Sequence, residues 1–428
     1  MRLRSAGPAG KWRIDTSFYP VLTLALLLRA TWALAVRVSP VSDSYVYDLL
    51  ARHLAHGIGY FWSPGVPTAY WPVGTSFLYS LLYRVFGQSY TPIVVLNIAL
   101  SLATIWMSMV LAERWFGRRV AIVAGYLLAL WPMQIEFATV LASELIFNFL
   151  MIATLVVWES PWSGAQRAAS SRPWLKAIVI GLLAAAICYI RPVGLLLPVI
   201  LYAITIHRER RFAAPAAHAA LAMLIMAAAI APWSLRNTHL FGRFILISDN
   251  GGANLWMGNH PGGDGGTVPV PDDTLKMHEA ERDAYLGNVA KAYIRAYPGR
   301  FVLRTLRKAV QLHSHETIGV HWNLPTLETV YGTHTVTALK LLSDLYWWLV
   351  LLPALGGVML LVRQHGLITA LAMPPIVLWA YFTALYAIIV IQDRYHFPCL
   401  PFIAMLAAVA LCGDWRQFAH RRLQPRNP

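Results

Sequence analysis

The chain has 428 residues, of which 57% are hydrophobic and 13% charged, and its formal net charge is +15. Soluble domains carry roughly a quarter charged residues, whereas apolar runs of about 20 residues, long enough to cross a bilayer, recur along this chain. The composition therefore excludes a soluble protein and indicates a polytopic membrane protein. Its Lys and Arg residues form no cluster on a soluble module, which argues against a nucleic-acid partner.

Hydropathy predicts ten membrane spans, in an all-α bundle. In chain order they are 18–38, 91–113, 119–135, 145–158, 175–190, 193–206, 212–234, 336–362, 367–391 and 395–412. The run 73–86 is short, carries Arg84 and follows a Pro-rich segment, so it is predicted to lie along the membrane surface. With this placement the loops on one side collect 18 of the 35 Lys and Arg residues and five acids, as the positive-inside rule expects of cytoplasmic loops.

Two long loops, 39–90 and 236–335, are predicted on the outer face. The second contains a Gly-rich stretch, 251–263, which matches no nucleotide-binding motif. This stretch is predicted to be a structured loop in which Gly residues form tight turns and Asn254 and Asn259 form hydrogen bonds. An amphipathic, helix-like stretch follows at 283–312. We expect one membrane domain, 1–413, and a basic cytoplasmic tail, 414–428.

Asp43 directly follows the first span, where a short surface helix should begin. It has two interpretations. An Asp at a helix start commonly caps free backbone N–H groups. Alternatively, Asp43 and Tyr47, four residues apart on one helix face, approach a ligand at the membrane surface, where the acid can act as a general base toward a hydroxyl group.

Three further charged residues lie at the outer ends of predicted spans. Glu144 opens the fourth span, with Glu136 nearby, and is either a solvated helix-terminal acid or a functional one. Arg191 and Arg394 each lie beside a proline on the side opposite to the basic loops. Arginine suits bidentate contact with phosphate, and a lipid-carrier phosphate lies at this depth. The alternative is pairing with Asp393 or with phospholipid headgroups.

A metal site is not predicted. His313, His315 and His321 have a spacing that fits no standard site, and no cysteine joins them. Lys308, on the amphipathic stretch, is interpreted first as a solvated charge. No cofactor is required by these residues, although a divalent metal is not excluded by the sequence.

Taken together, these motifs resemble the GT-C superfamily of integral-membrane glycosyltransferases, which use polyprenyl-phosphate-linked sugars. The similarity is to the bacterial branch related to protein O-mannosyltransferases and the aminoarabinose transferase of lipid A. The elements that carry it span nearly the whole chain: Asp43 and Tyr47, Tyr70-Trp71-Pro72-Val73-Gly74, Ser143-Glu144, Arg191-Pro192, Pro232-Trp233-Ser234-Leu235-Arg236-Asn237, Gly258-Asn259-His260-Pro261, and Arg394-Tyr395 with Pro398 and Pro401.

The resemblance implies roles for these positions. Asp43 would be the catalytic base and Glu144 a second catalytic acid, with Glu136 in reserve. The residues that would contact the substrate are Tyr47, Asn259, Arg191, Arg394, Tyr395 and Lys308, the basic ones through the carrier phosphate. Protein O-mannosyltransferases commonly have Asp-Glu in the first loop, and this chain has Asp43-Ser44, so the resemblance fixes neither the sugar nor the acceptor.

The expected function is transfer of a sugar from a polyprenyl-phosphate carrier to a hydroxyl of an envelope glycan, lipid or protein. The expected location is the bacterial inner membrane, among membrane lipids, with cytoplasmic termini and an outward-facing site. Two alternatives stay open. A transporter or flippase would place ionisable residues near the membrane midplane, where Arg29 is the clearest example. A glycan polymerase or ligase with an undecaprenyl-diphosphate donor would also have a long outer loop with arginines.

Overall fold

The computed structural model describes residues 16–160 and 173–413. Within these ranges the α-helices are α1 (Tyr19–Ala35), α2 (Asp43–Ala55), α3 (Val73–Phe86), α4 (Thr91–Phe116), α5 (Arg118–Leu130), α6 (Pro132–Glu136), α7 (Glu144–Glu159), α8 (Pro173–Ile190), α9 (Leu197–Glu209), α10 (Ala213–Phe241), α11 (Gly251–Asn259), α12 (Glu279–Ala296), α13 (Pro298–Gln311), α14 (Ile318–Trp322), α15 (Leu324–His365), α16 (Leu367–Leu371), α17 (Pro374–Ile388) and α18 (Leu400–Cys412). Strands β1 (Phe61–Ser63) and β2 (Val66–Pro67) form an antiparallel hairpin, and 3-10 turns cover Thr16–Phe18, Phe137–Thr139, Pro192–Gly194, Asp272–Lys276 and Asp393–Cys399.

The predicted all-α polytopic fold is confirmed. Seven helical segments of the described chain are long and apolar enough to cross a membrane, and an eighth is added if α5 and the segment Pro132–Thr139, which meet at a 57° bend, form one span. The other two predicted spans correspond to shorter helices, α7 with 16 residues and α17 with 15. The predicted tail and the most N-terminal basic residues lie outside the described residues.

The bend after α5 explains the buried charge on α1. Arg29 is fully buried, and its guanidinium donates to Ser101 Oγ at 2.7 Å. It also donates to the carbonyl oxygens of Leu128 and Ala129, at 3.1 and 2.9 Å. These carbonyls lie in the last turn of α5, where helical partners are missing because Pro132 starts a new helix. Arg29 therefore stabilises a broken span.

Helix α18 lies at the centre of the bundle. It packs against α15, α5, α17 and α4, and every residue from Leu400 to Ala410 is buried. Small residues let its neighbours approach closely, as is usual between membrane helices. On α15, a side chain at Gly357 would collide with the backbone carbonyl of Leu406. The last described span is therefore the most enclosed one.

The second long loop, 236–335, differs from its prediction because it is largely helical. The Gly-rich stretch predicted as a loop forms α11, and the stretch predicted as one helix-like unit is divided into α12 and α13 at Pro298. Two of the three glycines in α11, Gly252 and Gly258, serve close packing rather than turns. A side chain at Gly252 would meet the carbonyl of Asp283, and one at Gly258 would meet the carbonyl of Ile389.

Two helices outside the spans expose apolar faces. On α3, Phe77, Leu81 and Val85 are exposed at intervals of four residues, whereas Tyr79 and Tyr83 are buried. On α13, Val302, Leu306 and Val310 are exposed in the same way. An apolar stripe of this kind suits a helix lying in the plane of the membrane surface, which is the placement predicted for 73–86.

We expect Gly258→Ala to destabilise the protein, since the added methyl group would press on the backbone of Ile389 and overpacking of this kind costs roughly 1–3 kcal/mol. Gly251→Ala, in the first turn of the same helix, meets open space and should be neutral or slightly stabilising. Thermal unfolding of the two purified variants in the same detergent measures the difference. Equal melting temperatures would contradict the proposed close contact.

Candidate active site

A cavity of about 700 Å³ lies where the two long connections meet the ends of the spans. Its apolar wall consists of residues around the start of α9 and the end of α17: Ile190, Val193, Leu195, Leu196, Tyr381, Leu385, Ile389 and Val390. Its polar wall contains Ser248, Asn250, Asn254, Thr267 and Gln392. Asp43, Arg191 and Arg394 also line it. The cavity therefore combines an apolar side, a polar side and charged groups.

Asp43 is the first residue of α2, and its carboxylate is not used as a helix cap. The preceding residue, Ser42, has φ +52° and ψ −128°, a conformation that L side chains rarely adopt, and the helix start has no side-chain capping hydrogen bond. Instead, Asp43 Oδ2 accepts a hydrogen bond from Arg394 Nη2 at 2.6 Å. The strained backbone at Ser42 accompanies a carboxylate directed into the cavity.

Two acids and two arginines form a continuous chain of charges. Arg394 lies between Asp43, at 2.6 Å, and Glu144, at 3.7 Å, and Arg191 Nη1 donates to Glu144 Oε1 at 2.5 Å. The side chain of Glu144 is 0% exposed and that of Asp43 is 22% exposed. Glu144 therefore lies behind the arginines and does not line the cavity, whereas the carboxylate of Asp43 reaches it.

Aromatic rings hold both guanidinium groups. Arg394 lies 4.6 Å from the ring centroid of Trp322 and 5.4 Å from that of Tyr395. Arg191 lies 5.5 Å from the centroid of Tyr395, and Tyr395 stacks on Tyr386 at 4.6 Å. Cation–π contacts of this kind fix the plane of a guanidinium group, so its N–H groups bond to acceptors at the edge of that plane, as Arg394 does with Asp43 and Gln392. Tyr386 lines the cavity, and its buried hydroxyl has no hydrogen-bond partner in the described residues.

Tyrosines line the wall beside Asp43. Tyr47 lines the cavity together with Asp43, as their spacing of four residues predicts. Burial and the nearby charge of Asp43 raise the pKa of Tyr47 well above its ordinary value, so it stays neutral. Burial likewise raises the pKa of Tyr70 to about 12. Both hydroxyls therefore remain proton donors near the acid.

Lys308 and Asn259 lie behind the cavity wall rather than in it. Lys308 is fully buried, so its interpretation as a solvated charge is wrong, and burial lowers its pKa to about 8. Its Nζ donates to the carbonyl oxygens of Gly258, Ile388 and Ile389 at 3.1–3.3 Å. The Asn259 carboxamide donates to the same Ile388 and Ile389 carbonyls at 3.0 and 3.2 Å. Both residues join α11 to the end of α17.

Several residues at the site had no clear signal in the sequence. Gln392 accepts from Arg394 Nε at 2.6 Å and donates to Thr267 Oγ1 at 2.7 Å. The neighbouring Asp393, considered above as a partner for Arg394, accepts instead from Thr317. The sequence alone does not show which of the two polar residues before Arg394 will contact its side chain. Tyr386 and Asn250 likewise resemble other polar residues near helix ends. The prediction that Asn254 forms hydrogen bonds within the Gly-rich stretch is wrong: its side chain has no hydrogen bond in the described residues and it lines the cavity.

No metal site is found in residues 16–160 and 173–413: no group of three or more His, Cys, Asp or Glu side chains could hold an ion there. His313 instead accepts from Trp379 Nε1, and Glu136 accepts from Ser343, both in packed regions behind the cavity. At the cavity itself, Asp43 and Glu144 are neutralised by arginine guanidinium groups. Both acids near the cavity therefore already have positively charged partners.

Comparison with known proteins gives one family match. Residues 71–235 match the family described as dolichyl-phosphate-mannose-protein mannosyltransferase, which is less than half of the chain. This region runs from Trp71 through most of α10 and includes Glu144 and Arg191. None of the curated protein sequences matches the chain significantly.

Solved structures show the same architecture over nearly the whole chain. One is ArnT from Cupriavidus metallidurans bound to undecaprenyl phosphate, with 16% identity, a TM-score of 0.56, and coverage of 95% of this chain and 62% of that one. Another is the oligosaccharyltransferase AglB from Archaeoglobus fulgidus with an inhibitory peptide and a dolichol-phosphate, with 13% identity, a TM-score of 0.56, and coverage of 98% and 53%. A complex of the A. fulgidus enzyme with Zn and sulfate gives 15% identity, a TM-score of 0.56, and coverage of 94% and 50%. The chain thus spans about half the length of the oligosaccharyltransferase, and at these identities the likeness concerns the fold.

We expect Asp249→Asn to stabilise the protein at alkaline pH. Asp249, between two cavity-lining residues, is buried with an unpartnered Oδ2, and burial together with the charge of Asp283 raises its pKa to about 7. The fold therefore prefers the protonated acid, and stability is lost as pH rises from the ordinary carboxyl range through 7. The variant should gain roughly 1–3 kcal/mol at pH 8 and nothing at pH 4. Melting temperatures across this range test it, with the exposed Asp273→Asn as control; a gain that does not depend on pH would contradict it.

Proposed function

Because the chain has the fold of the GT-C superfamily of integral-membrane glycosyltransferases, we propose that it transfers a sugar from a polyprenyl-phosphate carrier to an acceptor hydroxyl. The acceptor belongs to an envelope glycan, lipid or protein on the outer face of the bacterial inner membrane. One observation carries the proposal: a single cavity joins an apolar wall, two arginines and an acid that reaches the cavity. These three features correspond to a lipid tail, a phosphate and a reacting hydroxyl group.

The carrier phosphate would bind between Arg191 and Arg394. Arginine N–H groups form bidentate bonds with phosphate oxygens, and the aromatic contacts keep the two guanidinium groups oriented toward the cavity. The unpartnered hydroxyl of Tyr386 supports an oxygen-rich ligand at the same place, because a buried donor without a partner is costly. The hydrocarbon tail would then extend along the apolar wall formed by α9 and α17.

The reaction proceeds by a single displacement in this proposal. Asp43 takes the proton from the acceptor hydroxyl as its oxygen attacks the anomeric carbon. The bond between the anomeric carbon and the phosphate oxygen breaks, and its electron pair leaves with the phosphate, whose charge Arg191 and Arg394 stabilise. Attack from the face opposite the leaving group inverts the anomeric configuration. No metal ion is needed for any step.

Of the other predicted residues, three act through neighbours in this scheme and two would contact the substrate. Glu144, fully buried between the arginines, orients both guanidinium groups and balances their charge. Asn259 and Lys308 keep α11 against the segment that leads to Arg394. Tyr47 and Tyr395 line the cavity and would contact the substrate directly.

Neither alternative function gains a specific observation. A transporter would use charged groups near the membrane midplane, and Arg29, the clearest sequence candidate, is accounted for by the carbonyl oxygens at the bend after α5. A polymerase or ligase that uses a diphosphate donor would use the arginines and a base for its acceptor hydroxyl in the same way. The proposed transferase is preferred because Asp43 lies in the first long loop, where the resemblance to the GT-C superfamily places the catalytic base.

We expect Asp43→Asn to abolish sugar transfer while carrier binding is retained, since the amide cannot accept a proton but keeps the side chain's size. Mass spectrometry of envelope glycolipids and glycoproteins from a gene-deletion strain, complemented with wild type or variant, measures transfer. The matched control is Asp273→Asn, on an exposed turn of the second long connection. Full activity of a normally inserted Asp43→Asn protein would contradict the base assignment.

We expect Arg191→Gln to weaken binding of undecaprenyl phosphate and to destabilise the fold by about 3 kcal/mol, because it leaves the buried Glu144 carboxylate without its closest partner. The double variant Arg191→Gln/Glu144→Gln removes both charges and should recover most of the stability, but not the binding. Thermal unfolding and carrier binding in nanodiscs separate the two effects. Recovery of binding in the double variant would show that Arg191 serves the fold alone.

A further inference from the structure

One face of α11 forms part of the cavity wall. Asn250, which precedes the helix, and Gly251, Asn254 and Met257 within it all line the cavity. Successive members of this set are separated by one, three and three residues, so they lie on the same side of the helix. This face carries two carboxamides and no charged side chain, which distinguishes it from the walls formed by Arg191, Arg394 and Asp43.

The two carboxamides have unused hydrogen-bonding capacity. The Asn254 side chain makes no hydrogen bond within the part of the chain that the structure describes, and Asn250 only accepts one from Ser248 Oγ, at 3.2 Å. Each carboxamide offers two N–H donors and one carbonyl acceptor. Sugar hydroxyl groups both donate and accept, so neutral amides at the cavity surface are suited to them.

The helix that carries these amides is held firmly in place. At its start, the Ala253 N–H donates to Asp283 Oδ1 at 2.8 Å, and Gly252 packs against the backbone of Asp283. At its end, Asn259 and Lys308 bind the carbonyl oxygens of Ile388 and Ile389. Because Ile389 lies only five residues before Arg394, these contacts hold the amide face of α11 at a fixed distance from the arginine proposed to bind the phosphate.

We propose that Asn254, assisted by Asn250, recognises the hydroxyl groups of the carrier-linked sugar and so determines which sugar the protein uses. The inference rests on the proposed function. The apolar wall accounts for the lipid tail and the arginines for the phosphate, which leaves the uncharged polar wall for the sugar, and α11 with the residue before it contributes two carboxamides to that wall. Tyr70, a neutral ring that also lines the cavity, provides a further surface against which a sugar can lie.

The test compares binding of a bare carrier with binding of sugar-linked carriers. The full chain in nanodiscs is titrated with undecaprenyl phosphate and with undecaprenyl phosphate linked to mannose, glucose, galactose or 4-amino-4-deoxyarabinose. Asn254→Ala should bind the sugar-linked form preferred by wild type about tenfold more weakly, a loss expected for one or two hydrogen bonds, and the bare carrier equally well. Asn288→Ala, on α12 and outside this cavity, is the matched control.

A second variant covers the case in which Asn254→Ala alters the helix. Asn254→Gln keeps the amide but moves it by one methylene, and it should change the ranking of the four sugars while the melting temperature stays close to that of wild type. Equal weakening of bare and sugar-linked carriers in Asn254→Ala would overturn the inference, because it indicates a structural role. Unchanged binding of both, or an effect confined to the KM of the acceptor, would overturn it as well.

Failure of the inference and failure of the proposed function give different results. If the function is wrong, wild type binds neither the bare nor the sugar-linked carrier, and both proposals are overturned. If only the inference is wrong, wild type binds a sugar-linked carrier and Asn254→Ala binds it equally well. Wild type that binds all carriers with one affinity also overturns the inference, since no wall would then recognise the sugar.

Discussion

The structure depends on balancing charge at the ends of membrane spans. A charged side chain without a partner is costly to bury, and four of them meet in the chain Asp43, Arg394, Glu144 and Arg191. These residues come from the start of α2, the turn before α18, the start of α7 and the end of α8. Each carboxylate is therefore balanced by an arginine from a distant part of the sequence, and the charges join the four segments at one place.

This balance also determines what the site can bind. Among these four charged residues, Glu144 is fully buried, whereas Asp43 is partly accessible from the cavity. The two guanidinium groups reach the cavity surface, whereas the Glu144 carboxylate that pairs with both lies behind them. In the proposed function, this arrangement of donors gives the site its preference for an anion such as the carrier phosphate. The aromatic rings of Trp322 and Tyr395 maintain this preference by fixing the guanidinium planes.

Much of the fold could be predicted from the sequence. Long apolar runs and the distribution of Lys and Arg were sufficient to predict the helices of the bundle, and the all-α membrane architecture that the resemblance implied is confirmed by the fold. The run 73–86 forms the separate helix α3, whose exposed apolar face suits the predicted place at the membrane surface. Arg191 and Arg394 could be selected because basic residues on the less basic side of a membrane need a reason. Asp43 could be selected because it begins a helix directly after the first span.

Whether a side chain reaches the cavity or lies behind its wall could not be predicted in the same way. Glu144, Asn259 and Lys308 lie in motifs near the site, but the structure places all three behind its wall, since sequence order does not show which side of a helix faces a cavity. The Gly-rich stretch was misread for a related reason. Glycine permits both turns and close helix contacts, and the contacts of Gly252 and Gly258 involve residues far away in the chain.

The position of α18 has a consequence for assembly. This helix is the last described span, yet it occupies the middle of the bundle, against α15, α5, α17 and α4. Because α18 is made after these four helices, their final packing around it can form only once residues 400–412 have been synthesised. Arg394 directly precedes this helix, so Asp43 acquires its partner only after the spans from α1 to α17 have been made. The order of synthesis thus delays the Asp43–Arg394 pair until α18 joins the bundle.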